Sequence, residues 1–364
     1  MRDLGDLRGQ PLDPIDPMVC ECTELSDRKV LEQTPKVSVL IPAYNHGPYL
    51  KQTLEGVIEQ KAPFPFEVVV AEDCSTDDTR DIALAYQRRY PGLIRVLWSS
   101  ANVGASANAY RAVRHCRGEY IACCEGDDFW REPEKMRRQV EVLETRPTVG
   151  LVFSGGRLSE GESVRTVKGW GRGSALLREG IIPAEQGRMA LLRRAWHPLT
   201  CSCMLRRESL AAGYRDNPLF NKKLALGDTL TWFEIFRTKD AYYFDEDWVT
   251  QVIHEGSATD GIGREHVTRD GCLALCWFAA QMRDDAFVRE HQLGTLKARL
   301  AIASAARDYA EIGRVLGYCW RNRLLPGWQL TAYMGLAVFG KVAWGKRLRR
   351  AQLQRNDGVC FGSD

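Results

Sequence analysis

The chain has 364 residues, 45% of them hydrophobic, and its 50 basic side chains nearly balance 47 acidic ones, for a net charge of +3. This composition is typical of a folded globular protein and excludes disordered, collagenous and disulfide-dense chains. A total charge near zero provides no general attraction to nucleic acid, so we expect no nucleic-acid partner. The length fits one large domain or two ordinary ones.

The first 35 residues differ from the rest, because they hold eight acids against four bases and show no sustained hydrophobic period. We interpret residues 1–35 as an acidic N-terminal arm that is poorly ordered or lies along the surface. No apolar core of the signal-peptide type is present there, so we expect a cytoplasmic protein. The 12 cysteines are scattered, several within apolar runs, which favours buried thiols in a reducing compartment over a metal–thiolate site.

From Lys36 onward, short β-rich runs alternate with segments of helical spacing. The pattern predicts strands over 37–41, 66–71, 93–97 and 119–124, then 149–154, 200–205 and 248–253. Strand–helix alternation with short connections predicts an α/β fold, Rossmann-like, with a mostly parallel central sheet and helices on both faces. We expect a Gly- and Arg-rich loop over 155–173 and a helical region over 270–323.

Polar residues follow the predicted parallel strands, at the sheet edge where ligands of open α/β sheets bind. They are Pro42-Ala43-Tyr44-Asn45, Glu72-Asp73-Cys74-Ser75, Asn102-Val103-Gly104 and Glu125-Gly126-Asp127-Asp128. Acids on one edge repel unless a cation lies between them, and oxygen-rich sites suit Mg²⁺ or Mn²⁺ with a nucleotide diphosphate completing the ligand shell. Helix capping is the alternative, because Asp73 and Asp128 each precede a predicted helix.

These motifs resemble the family 2 glycosyltransferases of GT-A fold in their order, spacing and position at strand ends. The residues that carry the resemblance are Val37 to Asn45, Val70 to Asp77, Asn102 to Gly104, Gly118 to Ile121 and Glu125 to Trp130. The segment Glu-Gly-Asp-Asp-Phe-Trp resembles that of a bacterial subgroup that builds surface polysaccharides and glycolipids. The resemblance therefore implies a glycosyltransferase of the bacterial envelope.

The resemblance implies roles for the donor-binding residues. It places Tyr44 against the nucleotide base in a pocket shaped by Pro42, with Asp73 accepting a hydrogen bond from the base. Asp127 corresponds to the metal-binding second Asp of the family's Asp-x-Asp motif, and Glu125 stands where the first Asp usually lies. The other nucleotide-sugar contacts that it implies are Ala43, Asn45, Asn102, Gly104, Asn108, Gly126 and Asp128.

The chain departs from the family pattern at two points. Glu125 adds a methylene to the usual Asp, so its reach toward the ribose or the metal differs. The loop after Asn102 carries Ala107-Asn108 where many relatives have an Arg. The resemblance nevertheless implies that Asn108 faces the diphosphate.

Two residues farther along the chain complete the predicted site. The resemblance implies that Asp228, in Leu226-Gly227-Asp228-Thr229, removes the proton of the attacking hydroxyl while the sugar leaves its nucleotide with inversion. An N-cap is the alternative role for Asp228. His254 ends the next predicted strand, where some relatives place a histidine near the metal, and its alternative is an ordinary structural role.

The C-terminal region is basic, with nine Lys or Arg and no acid between Ile312 and Asn356. Its uncharged run over 324–340 is too short and too interrupted for a spanning helix. We expect peripheral contact of residues 324–350 with the cytoplasmic face of a membrane, through aromatic side chains and the cations that follow. The alternative is a buried helix packed on the catalytic domain.

The sequence thus predicts an acidic arm (1–35), a GT-A glycosyltransferase domain (36–260) and a helical C-terminal region (261–364). The predicted reaction is a metal-dependent, non-processive transfer of a sugar from a UDP, dTDP or GDP sugar to a saccharide or lipid-linked acceptor. A nucleotide-sugar-binding scaffold without catalysis is one alternative. A nucleotidyltransferase is another, but it would show a Gly-rich phosphate loop after the first strand.

Overall fold

A computed structural model describes residues 22–27, 29–31, 34–192, 195–210 and 227–255, together with Gly313 and Leu316. By its internal contacts the chain divides into two compact units, Pro14–Ile262 and Met1–Asp13 with Gly263–Asp364. The predicted segment 324–350 lies outside the described residues, as does the predicted helical region 270–323 except for Gly313 and Leu316. None of the described helices is long and apolar enough to cross a membrane.

The first part of the described chain alternates strands with helices. Its elements are β1 (Thr23–Leu25), β2 (Val37–Ala43), α1 (Gly47–Ile58), β3 (Phe66–Glu72), α2 (Thr79–Arg89), β4 (Ile94–Trp98), α3 (Ala105–His115), β5 (Tyr120–Cys123), β6 (Phe129–Trp130) and α4 (Lys135–Thr145). This order matches the alternation that the sequence predicts.

The second part contains long strands and fewer helices. Its elements are β7 (Val149–Glu160), β8 (Ser163–Val167), β9 (Gly180–Ile182), α5 (Ala184–Leu192), β10 (Met204–Arg206), α6 (Gly227–Thr238) and β11 (Asp240–Ile253). Short 3₁₀ turns cover Arg172–Leu176 and Thr200–Ser202.

The eleven strands of the described residues form one sheet, in the order β1-β4-β3-β2-β5-β10-β7-β11-β6, with β8 paired to β7 and β9 to β11. Strands β4, β3, β2 and β5 are parallel neighbours, which confirms the predicted α/β fold. Beyond β5 the neighbours are antiparallel except for β7 with β11. The carboxyl ends of β2, β3 and β5 therefore meet at one edge of the sheet.

The parallel strands are buried because helices cover them. Val39 and Ile41 of β2 are fully buried, and so are Val68 and Val70 of β3. Helix α1 begins with a proline in its first turn and buries Leu50, Leu54 and Val57, a spacing that places all three on one helical face. Each such side chain contributes about 1.5–3 kcal/mol of burial free energy, so this layer fixes the strand ends firmly.

The predicted loop over 155–173 is wrong in its first half. Strand β7 continues to Glu160 and pairs with β8 in a hairpin. Gly156 lies within β7, where β11 comes so close that a Cβ built on it would lie 2.6 Å from Val249 Cγ2. The glycine is therefore explained by the close approach of a neighbouring strand. From composition alone, a glycine-rich segment is predicted to be a loop.

Part of the predicted N-terminal arm joins the sheet. Strand β1 pairs antiparallel with β4, so Thr23 lies opposite Trp98 and Leu25 opposite Val96. The carboxylate of Glu24 accepts two hydrogen bonds from the Arg95 guanidinium, at 2.9 and 3.0 Å. A charge-assisted pair thus fastens this segment to β4.

Candidate active site

The acid loop, which we define as residues 125–128, follows β5 at the carboxyl edge of the sheet. Gly126 N donates a hydrogen bond to Pro42 O at 3.0 Å, and Asp128 N donates one to Glu125 O at 3.0 Å. The Thr53 hydroxyl of α1 lies 3.0 Å from Gly126 O and 2.7 Å from Asp128 O. Neighbouring elements therefore fix the backbone of the loop from both sides.

Asp128 is buried and Glu125 is half-buried, and no arginine or lysine among the described residues pairs with either carboxylate. Burial, followed by repulsion from Asp127 and Asp228, raises the pKa of Glu125 to about 8. Burial and the charges of Asp127 and Glu125 raise the pKa of Asp128 well above its ordinary value, although its Oδ1 accepts a hydrogen bond from Val252 N at 2.9 Å. One Glu125 oxygen is buried without a hydrogen bond among the described residues.

Asp127 faces two imidazole rings. Its Oδ2 lies 3.1 Å from His254 Nε2 and 3.6 Å from His46 Nε2. His46 follows β2, His254 follows β11, and the His254 ring stacks on Tyr49 with centroids 4.7 Å apart. Burial lowers the pKa of His46, which favours the neutral ring that can bind a metal.

This cluster fits a divalent cation. One ligand atom from each of His46, Asp127 and His254 lies within 4.8 Å of the other two. Adjacent ligands around an ion with bonds of about 2.1 Å are about 3 Å apart, and opposite ligands are about 4.2 Å apart. The chemistry and the spacing of the three groups therefore suit a metal ion of the class that binds imidazole and carboxylate together.

A second group of possible ligands lies deeper, formed by Glu125, Asp128 and Cys201. Burial, with the charges of Asp128 and Glu125, raises the pKa of the Cys201 thiol well above its ordinary value. Because a metal binds the thiolate, a thiol that holds its proton is a poor ligand. No disulfide joins any two of the seven described cysteines, of which four are buried and three are half-buried.

Asp73 lies at the end of β3 and binds the loop that precedes α3. It accepts hydrogen bonds from Val103 N at 3.0 Å and Gly104 N at 2.9 Å. Its carboxylate also lies 3.6 Å from Arg111 Nη2, yet burial raises its pKa above the ordinary value. Asn102 caps the same turn, since its Oδ1 accepts a hydrogen bond from Gly104 N at 3.0 Å.

Asn108 is buried one turn into α3. Its amide nitrogen donates to Ala71 O at 2.7 Å, and its amide oxygen accepts a hydrogen bond from Arg111 Nη2. Both polar groups of Asn108 are therefore engaged within the protein. Arg111, fully buried, supplies a cation one turn after Ala107.

The loop after β2 combines an exposed ring with a fixed backbone. Tyr44 is 42% exposed, while Ala43 is buried and its carbonyl accepts a hydrogen bond from Asp73 N at 3.0 Å. Asn45 has a φ of 55°, and its Oδ1 accepts a hydrogen bond from Thr76 N at 2.8 Å. The side chain of Asn45 thus ties the β2 and β3 loops together and leaves Tyr44 open to a ligand.

Asp228 lies at the start of α6 and is 41% exposed. Its Oδ2 lies 3.7 Å from His197 Nε2, and its Oδ1 accepts a hydrogen bond from Thr229 N at 2.6 Å. His197 is held in turn by Pro198 O, 2.8 Å from its Nδ1. Because the charge of Asp228 acts on Glu125, the two carboxylates lie within electrostatic range of one another.

Helix capping does not account for Asp73 or Asp128. Helices α2 and α4 begin at Thr79 and Lys135, well after these acids, and both carboxylates bond to backbone of other segments. Sequence reasoning missed His46, His197 and Arg111. His46 lies three residues beyond β2 on the predicted ligand edge, so the edge rule that selected Asp127 was sufficient to find it.

Most of the site, without Asp228 and His254, lies within a region that matches a known family. The profile of "Glycosyl transferase family 2" matches residues 38–212. Residues 38–212 belong to glycosyl transferase family 2. An uncharacterised protein of Mycobacterium tuberculosis is 39% identical over 117 residues, 32% of this chain and 34% of the relative. The putative teichuronic acid biosynthesis glycosyltransferase TuaG of Bacillus subtilis is 35% identical over 112 residues, 31% of this chain and 43% of TuaG.

The chain spans about a third to two fifths of the length of these relatives. The fold is similar to that of S. aureus TarS residues 1–349 in complex with UDP-GlcNAc, with a TM-score of 0.63 and 17% identity. That likeness covers 88% of this chain and 92% of the TarS chain. It confirms the predicted GT-A type of α/β fold, and the family 2 domain confirms the predicted resemblance.

Proposed function

We propose that the chain transfers a sugar from a nucleotide-diphosphate sugar to a hydroxyl acceptor during synthesis of a cell-surface polysaccharide or glycolipid. The observation that carries the proposal is that the strands leading to Tyr44, Asp73 and Asp127 end at one edge of a family 2 domain, with Asp228 within electrostatic range of Glu125. TuaG, named for teichuronic acid biosynthesis, and TarS, seen with UDP-GlcNAc, support a nucleotide-sugar donor and an envelope glycan. The UDP, dTDP or GDP type of donor and the saccharide or lipid-linked acceptor are parts of this proposal.

The base of the nucleotide binds between the β2 and β3 loops. The exposed ring of Tyr44 offers a stacking face, and Asp73 lies at the end of the adjacent strand. Asp73 already orders the Val103–Gly104 backbone, so it presents its carboxylate without losing side-chain freedom on binding. Pro42, Ala43 and Asn45 keep the backbone of this pocket fixed.

The diphosphate lies beside the acid loop. A divalent cation held by Asp127 and His254 would supply positive charge to the departing diphosphate. Glu125 and Asp128 have no arginine or lysine partner among the described residues, so binding of a cation lowers their mutual repulsion. These residues orient the donor and favour the metal-bound complex.

Asp228 acts on the acceptor. Its partly exposed carboxylate takes the proton of the attacking hydroxyl, and that oxygen forms a bond to the anomeric carbon as the bond to the diphosphate breaks. The attack comes from the face opposite the leaving group, so the anomeric configuration inverts. A single transfer per encounter is proposed, at the cytoplasmic face of the envelope.

Calorimetric titration with UDP, dTDP and GDP, each with Mn²⁺ and with Mg²⁺, tests donor binding. We expect one nucleoside diphosphate to bind in a metal-dependent way and Asp127→Asn to abolish that dependence. Asp27→Asn is the matched control, because Asp27 is exposed beyond the opposite edge of the sheet. Failure of all three nucleotides to bind would contradict the proposal.

Product formation with the matching nucleotide sugar tests catalysis. We expect Asp228→Asn to reduce kcat roughly 10²–10⁴-fold while donor affinity stays within about two-fold, because a general base acts on the acceptor. NMR of the product's anomeric proton reports inversion. Undiminished transfer by Asp228→Asn would disprove the base, and donor binding without transfer to any acceptor would favour a binding scaffold.

A further inference from the structure

The strongest unassigned feature is the position of His46 against the acid loop. His46 Nε2 and His254 Nε2 approach the same oxygen of Asp127, at 3.6 and 3.1 Å. All three side chains are largely buried, with exposures of 14%, 15% and 12% for His46, His254 and Asp127. Two nitrogens and one oxygen therefore converge from β2, β11 and β5 on a common point.

We propose that His46 is a third metal ligand, and that the resulting two-histidine, one-carboxylate face selects a first-row transition ion such as Mn²⁺ or Co²⁺ over Mg²⁺. This inference rests on the proposed function, because that function requires a metal ion at Asp127. Mg²⁺ prefers oxygen ligands and water, whereas imidazole nitrogen binds transition ions progressively more tightly from Mn²⁺ towards Co²⁺ and Cu²⁺. A site with two imidazole ligands therefore binds transition ions more tightly than Mg²⁺.

The distance of His46 argues against a simple hydrogen bond. At 3.6 Å, Nε2 of His46 lies beyond hydrogen-bonding distance of Asp127 Oδ2. A structural histidine in a largely buried site ordinarily forms its hydrogen bonds fully. The spacing instead leaves room for an ion that bonds to both groups, in agreement with the ligand separations given above.

The backbone of His46 is fixed before any metal arrives. His46 N donates to Thr79 Oγ1 at 2.8 Å, and Asn45 N donates to Ser75 Oγ at 3.0 Å. The positive φ of Asn45 turns the chain so that His46 enters the site. The β3 loop therefore positions this ring from outside the acid loop, which lowers the entropic cost of binding.

Gly126 keeps a place for the ring inside the acid loop. A Cβ built on Gly126 would lie 2.7 Å from His46 Nδ1 and 3.0 Å from Ala43 Cβ. Any larger residue would push the imidazole away from Asp127. The close approach of the His46 ring thus explains why the residue between Glu125 and Asp127 is a glycine.

The test measures metal binding in the full chain, independently of transfer. Pulsed electron paramagnetic resonance of bound Mn²⁺ reports couplings to directly bound imidazole nitrogens. We expect couplings from two imidazoles in the wild type, from one in His46→Gln, and from two in the control His115→Gln. His115 is at the end of α3 and bonds to Arg111 O.

Competition titration gives a second readout. We expect His46→Gln to weaken Co²⁺ binding at least about ten-fold while Mg²⁺ affinity changes less than about two-fold. His46→Asp exchanges nitrogen for oxygen, so it should raise the Mg²⁺ to Co²⁺ affinity ratio relative to wild type. This variant keeps the test decisive if the glutamine variant fails to fold.

Two-imidazole coupling that persists in His46→Gln, or equal preference for Mg²⁺ and Co²⁺ in the wild type, would overturn the inference. Failure of the proposed function has a different signature. In that case the protein binds Mn²⁺ through two imidazoles but neither binds a nucleoside diphosphate nor transfers a sugar.

Discussion

The two edges of the parallel sheet both bury carboxylates, but they treat the charge in opposite ways. At the edge where strands begin, Glu67 is fully buried and accepts hydrogen bonds from Ser38 Oγ at 2.6 Å and Arg95 Nη1 at 3.0 Å. Arg117 adds its backbone N–H at 2.8 Å and its Nε at 2.7 Å. This carboxylate is completely neutralised by the protein.

At the opposite edge, no arginine or lysine among the described residues pairs with a carboxylate of the acid loop. Burial alone raises the pKa of Glu67, but Ser38 and Arg117 outweigh it and bring the pKa below its ordinary value. For Glu125 burial acts in the same direction, and the neighbouring acids add to it. The comparison distinguishes carboxylates that stabilise the fold through ion pairs from carboxylates that are available to bind a ligand.

The largest effect expected from this comparison follows loss of the neutralised charge. Glu67→Gln should lower the free energy of unfolding by about 3 kcal/mol, because it leaves Arg95 and Arg117 without their shared counter-charge. Chemical denaturation measures the loss. Glu141→Gln is the control, since Glu141 is exposed on α4 and its loss should cost under about 0.5 kcal/mol. Equal stability of both variants would refute the distinction between the edges.

The same substitution at the other edge should have the opposite sign. Glu125→Gln should raise the free energy of unfolding of the metal-free protein by about 1 kcal/mol at neutral pH, because it removes one of the mutually repelling buried acids. Thermal unfolding in the presence of a chelator measures the gain. A loss of stability would show that Glu125 is structurally compensated.

The smallest effect concerns the pair that fastens β1. Burial tends to raise the pKa of Glu24, but hydrogen bonds from Arg95 and Ser26 dominate and lower it from 4.5 to about 2. Because the folded-state pKa is the lower one, the stabilisation is present above about pH 4.5 and disappears as the pH falls towards 2. Unfolding measured from pH 7 to pH 2 should show Glu24→Gln converging with the wild type. A constant difference between the two proteins would contradict this assignment.

The sequence predicted the parallel core well, because each strand is a short apolar run that ends at a polar loop. The strand-end rule also brought Asp73 and Asp127 to attention, and the strands that precede them end at one edge of the sheet. Asp228 came from the family resemblance alone. The rule was sufficient to find His46 as well, but the turn residues around it have the same composition as any loop, so this histidine was passed over.

Contacts between distant segments could not be predicted in the same way. The hydrogen bond from Val252 N to Asp128 and the approach of β11 to Gly156 join residues far apart in the chain, with no local periodicity to reveal them. His197 was missed for the same reason, because only the folded chain brings it within 3.7 Å of Asp228. Local patterns thus predict elements, whereas long-range packing decides which polar residues share a site.

The position of β6 has a consequence for the order in which the molecule forms. The acid loop begins at β5, in the interior of the sheet, and ends at β6, whose pairing is with β11 at the far end. Trp130 pairs with Val249, which is far away in the sequence, and contacts of such long sequence separation form slowly during folding. During synthesis the acid loop emerges before β11, so its anchoring through β6 is completed only after residues 240–253 have been made.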